Sequence, residues 1–194
     1  MYIIMSFKYP KVVGITGRKG NGKDTLGNYL VKNYDYKRIA FADALKDACR
    51  CIFGFSDEQL YGGLKEEIDE FWQTSPRKVL QFVGTDLFRD HLAEIMPWIN
   101  QNIWVEVVKK KILDEWKTNP DARFVITDVR FPNEINLVKE LGGISIRVSR
   151  PSVNTATDPH SSEIQIETLP VNFDVLNEGS LEDLYNLATT LLFV

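Results

Sequence analysis

The stretch that most constrains this chain is Gly17-Arg18-Lys19-Gly20-Asn21-Gly22-Lys23. It follows Lys11 to Thr16, a short apolar run of the kind that forms a buried parallel strand. It precedes a segment in which Leu26, Tyr29, Leu30 and Asn33 share a helical face. A Gly-x4-Gly-Lys loop between strand and helix lets backbone N–H groups curl around phosphate oxygens, and the helix N-terminus adds a favourable dipole. Lys23 would bridge the outer phosphates. An ordinary glycine-rich turn is the plainer reading; strand, spacing, lysine and helix together favour the phosphate loop.

After the lysine the general pattern has Ser or Thr, whose hydroxyl ligates Mg²⁺. Here Asp24 stands there, with Thr25 behind it. Three readings stay open: the Asp24 carboxylate holds the ion through water, Thr25 takes over as ligand, or Asp24 faces away and caps the helix. Asp128 closes the apolar run Phe124 to Thr127. An acid at the carboxyl end of a strand is the second part of such a site, acting on Mg²⁺ or its water shell. A plain N-cap is the competing reading for Asp128, and the loop upstream favours the site.

The rest of the chain alternates strands and helices. Strands are predicted over 11–16, 36–41, 123–127, 144–148 and 173–176. Helices are predicted from Lys23, over 42–53 (stripe Leu45, Ala48, Cys49, Ile52, Phe53), from Pro76 to about Met96, over 103–119, over 132–141 and at the C-terminus from Leu181. This order predicts an α/β fold of three layers, with a central parallel sheet of about five strands, helices on both faces, and a ligand at the carboxyl ends of the strands. Residues 54–75 read as an irregular insertion, within an acceptor-binding region spanning 54–104. Residues 151–170, polar and rich in Ser, Thr, Asp and Glu, read as a lid. At 194 residues the expectation is one domain, 1–194.

Charge and cysteine content narrow the partners. With 23 basic and 27 acidic side chains the net charge is −4, which argues against duplex nucleic acid as a partner but leaves room for a small phosphorylated ligand. Cys49 and Cys51 are the only cysteines, so a reducing, cytoplasmic setting is expected. No apolar run approaches the roughly 18–20 residues that span a bilayer, and the first residues are too short and uncharged a stretch for a signal peptide, so no membrane role is expected.

Nothing resembles a GTPase switch, which leaves a small-molecule kinase. If the acceptor is itself a phosphate, it arrives largely as a dianion, its second pKa near ~6, and needs no general base. The site then needs cations between two bundles of negative charge: Lys19, Lys23, Lys46, Arg77, Arg89, Arg130 and Arg150 are candidates. Arg77, Gln81, Thr85 and Arg89 recur every fourth residue on one predicted helix. Each such step drifts by about 40°, so the row covers about a third of the circumference. It reads either as a solvated polar face or as the wall of an acceptor pocket.

Four blocks carry a resemblance. They are Gly17-x4-Gly22-Lys23-Asp24-Thr25, Phe41-Ala42-Asp43-x-Leu45-Lys46, Ser75-Pro76-Arg77-x3-Gln81-x2-Gly84-Thr85-Asp86-x2-Arg89, and Asp128-x-Arg130-x3-Glu134. Arg150-Pro151, His160-x2-Glu163 and Asn177-x-Gly179-Ser180-Leu181 agree with them. The chain thereby resembles the deoxynucleoside monophosphate kinases of tailed bacteriophages, from about Val12 to Leu192. Asp24 departs from the general phosphate-loop pattern but is what this family shows.

The resemblance implies a nucleoside monophosphate kinase-like fold and transfer of the γ-phosphoryl of ATP, with Mg²⁺, to a deoxynucleoside monophosphate (dNMP). It implies that Lys46, Arg77, Gln81, Thr85, Asp86 and Trp104 meet the dNMP, with Arg89 on the same wall. Gly17, Lys19, Gly20, Gly22, Lys23, Asp24 and Thr25 hold ATP. Arg150 and the turn at Asn177 and Gly179 lie near its adenine. Asp24, Thr25 and Asp128 face Mg²⁺. Small nucleotides are the implied partners, a homodimer is a family-level guess, and the host cytoplasm is the setting if a phage encodes the chain. The lid holds no Arg or Lys, so charge neutralisation falls to Arg130, Lys19 or Arg18, of which Arg18, at a loop tip, is the weakest.

Two other readings compete: a dephospho-CoA kinase or other small P-loop kinase, and a non-catalytic ATP-binding regulatory module. The remaining residues read plainly. Cys49 and the tryptophans are core or core-edge, His91 is a helix-surface residue, and His160 is divided between a lid function and a capping role.

Overall fold

β1 (Val12–Thr16) is buried at all five positions, as a strand covered on both faces must be. In the computed structural model, which describes residues 9–152 and 166–192, it lies at the centre of a parallel sheet. Its companions are β2 (Tyr36–Ile39), β3 (Arg123–Val129), β4 (Ile144–Ser149) and β5 (Phe173–Leu176), in the order β2-β3-β1-β4-β5. Thr16 stands in register with Val129 on one side and Arg147 on the other, and Ser149 with Leu176. The ends of β1, β3, β4 and β5 therefore open on one edge. The order reverses about β1, and the crevice outside the carboxyl ends at such a point is where this kind of sheet binds ligands.

The chain forms two compact units. The first runs to Ala40, resumes at Lys111, and contains the sheet. α1 (Lys23–Tyr34) packs on β1, β2 and β3, and α8 (Leu181–Leu192) packs beside α1. Val13, Ile15, Leu26, Leu30, Val125, Ile146, Leu184 and Ala188 fill that face. α7 (Pro132–Glu140) packs on β1 and β4, with Val138 against Gly14, which alternates with Val13 and Ile15 and so faces the other way. Helices thus cover both faces of the five-stranded sheet, as expected.

The second unit, Phe41–Lys110, contains all of 54–104. It comprises α2 (Phe41–Phe53), α3 (Asp57–Tyr61), a 3₁₀ turn at Gly63–Lys65, α4 (Pro76–Gln81), a π-helical stretch (Phe82–His91), α5 (Leu92–Ile95) and the start of α6 (Ile103–Thr118). Cys49, Phe55, Leu60, Leu80 and Val83 form its core. No helix among the described residues is long and apolar enough to cross a membrane.

Several expectations need correction. Strand β2 ends at Ile39 and Phe41 opens α2, its side chain buried. β3 runs through Val129, so Asp128 lies inside the strand. Ile52 is 62% exposed, although the helical stripe placed it inside, and Trp98 is 76% exposed. Most of the lid, 153–165 with His160, lies outside the described residues.

The segment 54–75 is built, not irregular. Ser56 and Gln59 cap α3 reciprocally, with Gln59 N–H on Ser56 Oγ and Ser56 N–H on Gln59 Oε1. The Asp69 carboxylate accepts the N–H groups of Phe71 and Trp72 and the Gln59 amide. The Trp72 indole then donates to Phe53 O at 2.9 Å.

The Trp72 N–H, the Gln59 amide and the Phe71 N–H hold the Asp69 carboxyl below its ordinary 3.8. A depressed carboxyl stabilises the fold above its unfolded pKa, and that contribution is lost as pH falls through the folded value. Acid titration below about 4 should therefore loosen this turn. Tryptophan fluorescence is expected to show a step there that Asp69→Asn abolishes.

Candidate active site

The turn after β1 has the shape of an anion cradle. Gly17, Gly20 and Gly22 all take positive φ, at 143°, 84° and 103°. At Gly17 a side chain would also strike the carbonyl oxygen of Val148. Gly22 caps α1, accepting Leu26 N–H at 3.0 Å. The α1 N-terminus thus opens directly on the loop. Lys23 Nζ bends back over it to donate to Arg18 O at 2.9 Å.

Two asparagines brace the loop, one within it and one beyond β5. The Asn21 side chain, 2% exposed, donates to Val148 O at 3.0 Å. Asn177, past β5, donates its side-chain amide to Asn21 O at 2.9 Å and its backbone N–H to Ser149 O at 2.8 Å. The Asn177 amide also fills the space a Gly22 side chain would need. Gly179 and Ser180 then lead into α8, where Ser180 donates both its N–H and its hydroxyl to Asp183 and holds that carboxyl below its usual range. Asn177→Ala removes one half-buried hydrogen bond, worth about 1 kcal/mol. The expected result is a rise of about fivefold in KM for the nucleotide expected at this loop, with turnover nearly unchanged, read from initial rates.

Arg18 is not a solvated loop tip. Its guanidinium pairs with Glu167 at 2.5 Å and is 27% exposed. Arg147 of β4 holds the same segment, donating to the carbonyls of Glu167 and Leu169 and pairing with Asp174. Lys19 and Asp24 are exposed, while Thr25 is half-buried in the first turn of α1.

At the end of β3, Asp128 is half-buried. Glu134, 3% exposed, fixes the turn that follows by accepting Arg130 N–H at 2.7 Å and Phe131 N–H at 3.2 Å. This buried acid serves the N-terminus of α7, where Phe131 is the N-cap. The turn leaves Arg130 half-buried beyond the strand end. Arg150, after β4, is exposed. The first unit thus gathers the phosphate loop, Asp128, Arg130, Arg150 and Asn177 at one sheet edge.

The second unit holds the other candidates. Ser75 accepts Lys78 N–H and Pro76 follows at the first helical position, so Arg77 sits in the first turn of α4. Its guanidinium meets Glu66 at 3.1 Å, an exposed pair worth no more than about 1 kcal/mol. Lys46 Nζ lies 3.8 Å from the centroid of the Tyr61 ring. Burial, then the Asp43 and Asp47 carboxylates, push the Tyr61 hydroxyl up, so the ring stays a neutral cation platform. Gln81, Thr85 and Asp86 are exposed and Arg89 is half-buried. Trp104 is inside, 8% exposed, with its indole N–H on Gly84 O at 2.9 Å. His91 is a surface residue whose pKa Glu94 raises, Cys49 is buried and Cys51 exposed.

Sequence reasoning passed over Asn21, Glu66 and Glu167, and gave Asn177 and Glu134 no bracing role. The spacings of the asparagine contacts, 127 and 156 residues, leave no local pattern. Glu134 alone had a signal, standing three residues beyond Phe131 as a first-turn acid.

Among the described residues no group of three or more His, Cys, Asp or Glu could hold a metal by itself. Thr25, Asp24 and Asp128 offer hard oxygen donors, which suits an ion that takes one or two carboxylates and completes its shell from water and phosphate.

The chain is similar to known proteins. A family model described as deoxynucleotide monophosphate kinase matches residues 55–187. A protein of Acanthamoeba polyphaga mimivirus named putative deoxynucleotide monophosphate kinase is 41% identical over 180 residues, covering 90% of this chain and 92% of its own. The deoxynucleoside-5′-monophosphate kinase of Escherichia phage T5 is 33% identical over 234 residues, covering 86% of this chain and 89% of its own. Among solved structures, TT1252 from Thermus thermophilus shares the fold at 20% identity and a TM-score of 0.50, covering 95% of this chain and 97% of that one.

Proposed function

The chain belongs to the deoxynucleotide monophosphate kinase family, and from that premise we propose that it transfers the γ-phosphoryl of ATP to the 5′-phosphate of a dNMP, giving ADP and a dNDP. The observation that carries this reading is the loop itself. Three left-handed glycines and the α1 N-terminus form the cradle, and Lys23 rests on the loop's own carbonyl at Arg18, ready to exchange it for phosphate. Family membership disfavours both the dephospho-CoA kinase and the regulatory-module readings.

The acceptor phosphate is already a nucleophile near neutral pH, so the chain needs no general base. Its work is positioning and charge. Lys23 and the amides of residues 17–25 hold the donor's outer phosphates. Arg77 exchanges Glu66 for the acceptor phosphate, and Lys46 adds a second positive charge. Arg130 and Lys19 neutralise charge that builds on the transferring group.

Gln81, Thr85, Asp86 and Arg89 take the acceptor nucleoside, and Arg150, Asn177 and Gly179 the donor's. Asp24, Thr25 and Asp128 would hold Mg²⁺, directly or through water. When bound, the ion supplies charge neutralisation across the β- and γ-phosphates. The free thiols of Cys49 and Cys51 suit a reducing cytoplasm as the place of action.

A coupled ADP-release assay across the four dNMPs and the matching ribonucleotides tests the proposal. ADP release with MgATP should depend on a dNMP. Saturable ATP binding with no turnover on any of them would overturn it.

A further inference from the structure

Two rows run side by side along the helix that begins at Pro76. Pro76, Leu80, Gly84 and Phe88 face inward, and Arg77, Gln81, Thr85 and Arg89 stand one position on. Both repeat every four residues. In an α-helix each such step overshoots a full turn by about 40°, so three steps would carry either row about 120° around the axis. Holding either row to a narrower face requires that this drift be taken up.

The helix avoids the drift by changing its pitch. From Phe82 to His91 it is π-helical, and Leu92 N–H donates to Leu87 O, five residues back. With i→i+5 bonding the turn is wider. Four residues then fall short of a full turn, and the drift gained between Arg77 and Gln81 is reversed from Gln81 to Arg89.

Such wide turns are seldom sustained without help from outside the helix. Here the help converges on Gly84. Trp104 of α6 donates its indole N–H to Gly84 O at 2.9 Å, and its ring lies 5.6 Å from that of Phe88, one turn on. From α2, Leu45 packs so closely on Gly84 that an added Cβ would lie 2.6 Å from Leu Cδ2. The contact uses the lack of a side chain at Gly84, and the hydrogen bond uses its carbonyl.

We infer that Trp104 is a positioning residue for the acceptor: by holding the Gly84 carbonyl it keeps the helix in its wide form, and so keeps Gln81, Thr85 and Arg89 in line with Arg77. The inference rests on the proposed reading that this row meets the dNMP. It gives the buried indole a role through the helix in place of direct contact with the dNMP.

Trp104→Phe tests it, because the ring is retained and only the donor is lost. KM for the dNMP should rise about tenfold, KM for ATP should stay within twofold, and kcat should fall no more than a few-fold. Gly84→Ala, which forces Leu45 away, should give the same split and carries the test if Trp104→Phe does not fold. The double variant should be no worse than the more damaging single one, since both act on one turn. A dNMP KM within twofold of wild type in Trp104→Phe overturns the inference, as a stacking ring would tolerate that exchange. Equal rises in both KM values overturn it too. Failure of the wild-type protein to phosphorylate any dNMP would instead defeat the underlying functional reading, so the two failures are told apart.

Discussion

Lys23→Ala is expected to lower turnover with MgATP and a dNMP by about two to four powers of ten, with little change in melting temperature. The size follows from where the ammonium sits. It lies at the mouth of the loop, 2.9 Å from a backbone carbonyl that is a modest partner for a full positive charge. An incoming phosphate is a far better one, and better still when negative charge gathers on the transferring group. Losing that preference costs about 3–5 kcal/mol in the transition state. The fold loses a part-buried hydrogen bond to a carbonyl within the same loop. Lys23→Arg should not restore the rate, because a planar fork cannot occupy the place of a compact ammonium inside a glycine cradle. Single-turnover ADP formation measures the effect, and a variant within tenfold of wild type would remove Lys23 from the chemistry.

The parts of this site that the sequence made legible are those written in local pattern. Gly17, Gly22 and Lys23 announce the loop because three residues of two types at fixed spacing answer one geometric need. The strand ending near Asp128 and the helix opening at Ser75-Pro76 are equally local. What stayed hidden depends on residues far apart in the chain. The hold of Asn21 on Val148 and of Asn177 on Asn21 emerges only when β4 lies beside β1 and β5 beside β4.

Charge misled in three places. Arg18 at a loop tip read as solvated, yet Glu167 takes it. The segment 54–75 read as irregular, yet the Asp69 carboxylate within it closes a turn. Glu134 drew no structural reading, yet it is buried and holds two backbone N–H groups. The π-helical stretch was invisible for a different reason. A strict four-residue repeat is its trace in the sequence, and an α-helical wheel reads that repeat as drift.

Arg77→Ala is expected to lower kcat/KM for the dNMP by about two to three powers of ten while leaving KM for ATP within about twofold. Arg77 stands in the first turn of its helix, where the dipole disfavours a cation by about 0.3–1 kcal/mol. A guanidinium placed there for stability alone would be misplaced. One placed there to receive an anion gains, because the helix end and the side chain then act on the same charge. In the structure Glu66 is that anion, through an exposed pair a phosphate dianion can displace at small cost. Glu66→Gln makes the distinction sharp. If Glu66 only keeps the place of the acceptor phosphate, the variant should lower the dNMP KM or leave it within threefold. If Glu66 holds Arg77 in its working position, the variant should resemble Arg77→Ala. An Arg77→Ala enzyme whose kcat/KM for the dNMP stays within threefold of wild type, while Lys23→Ala is still inactive, would move the acceptor phosphate to another cation, with Lys46 the next to test.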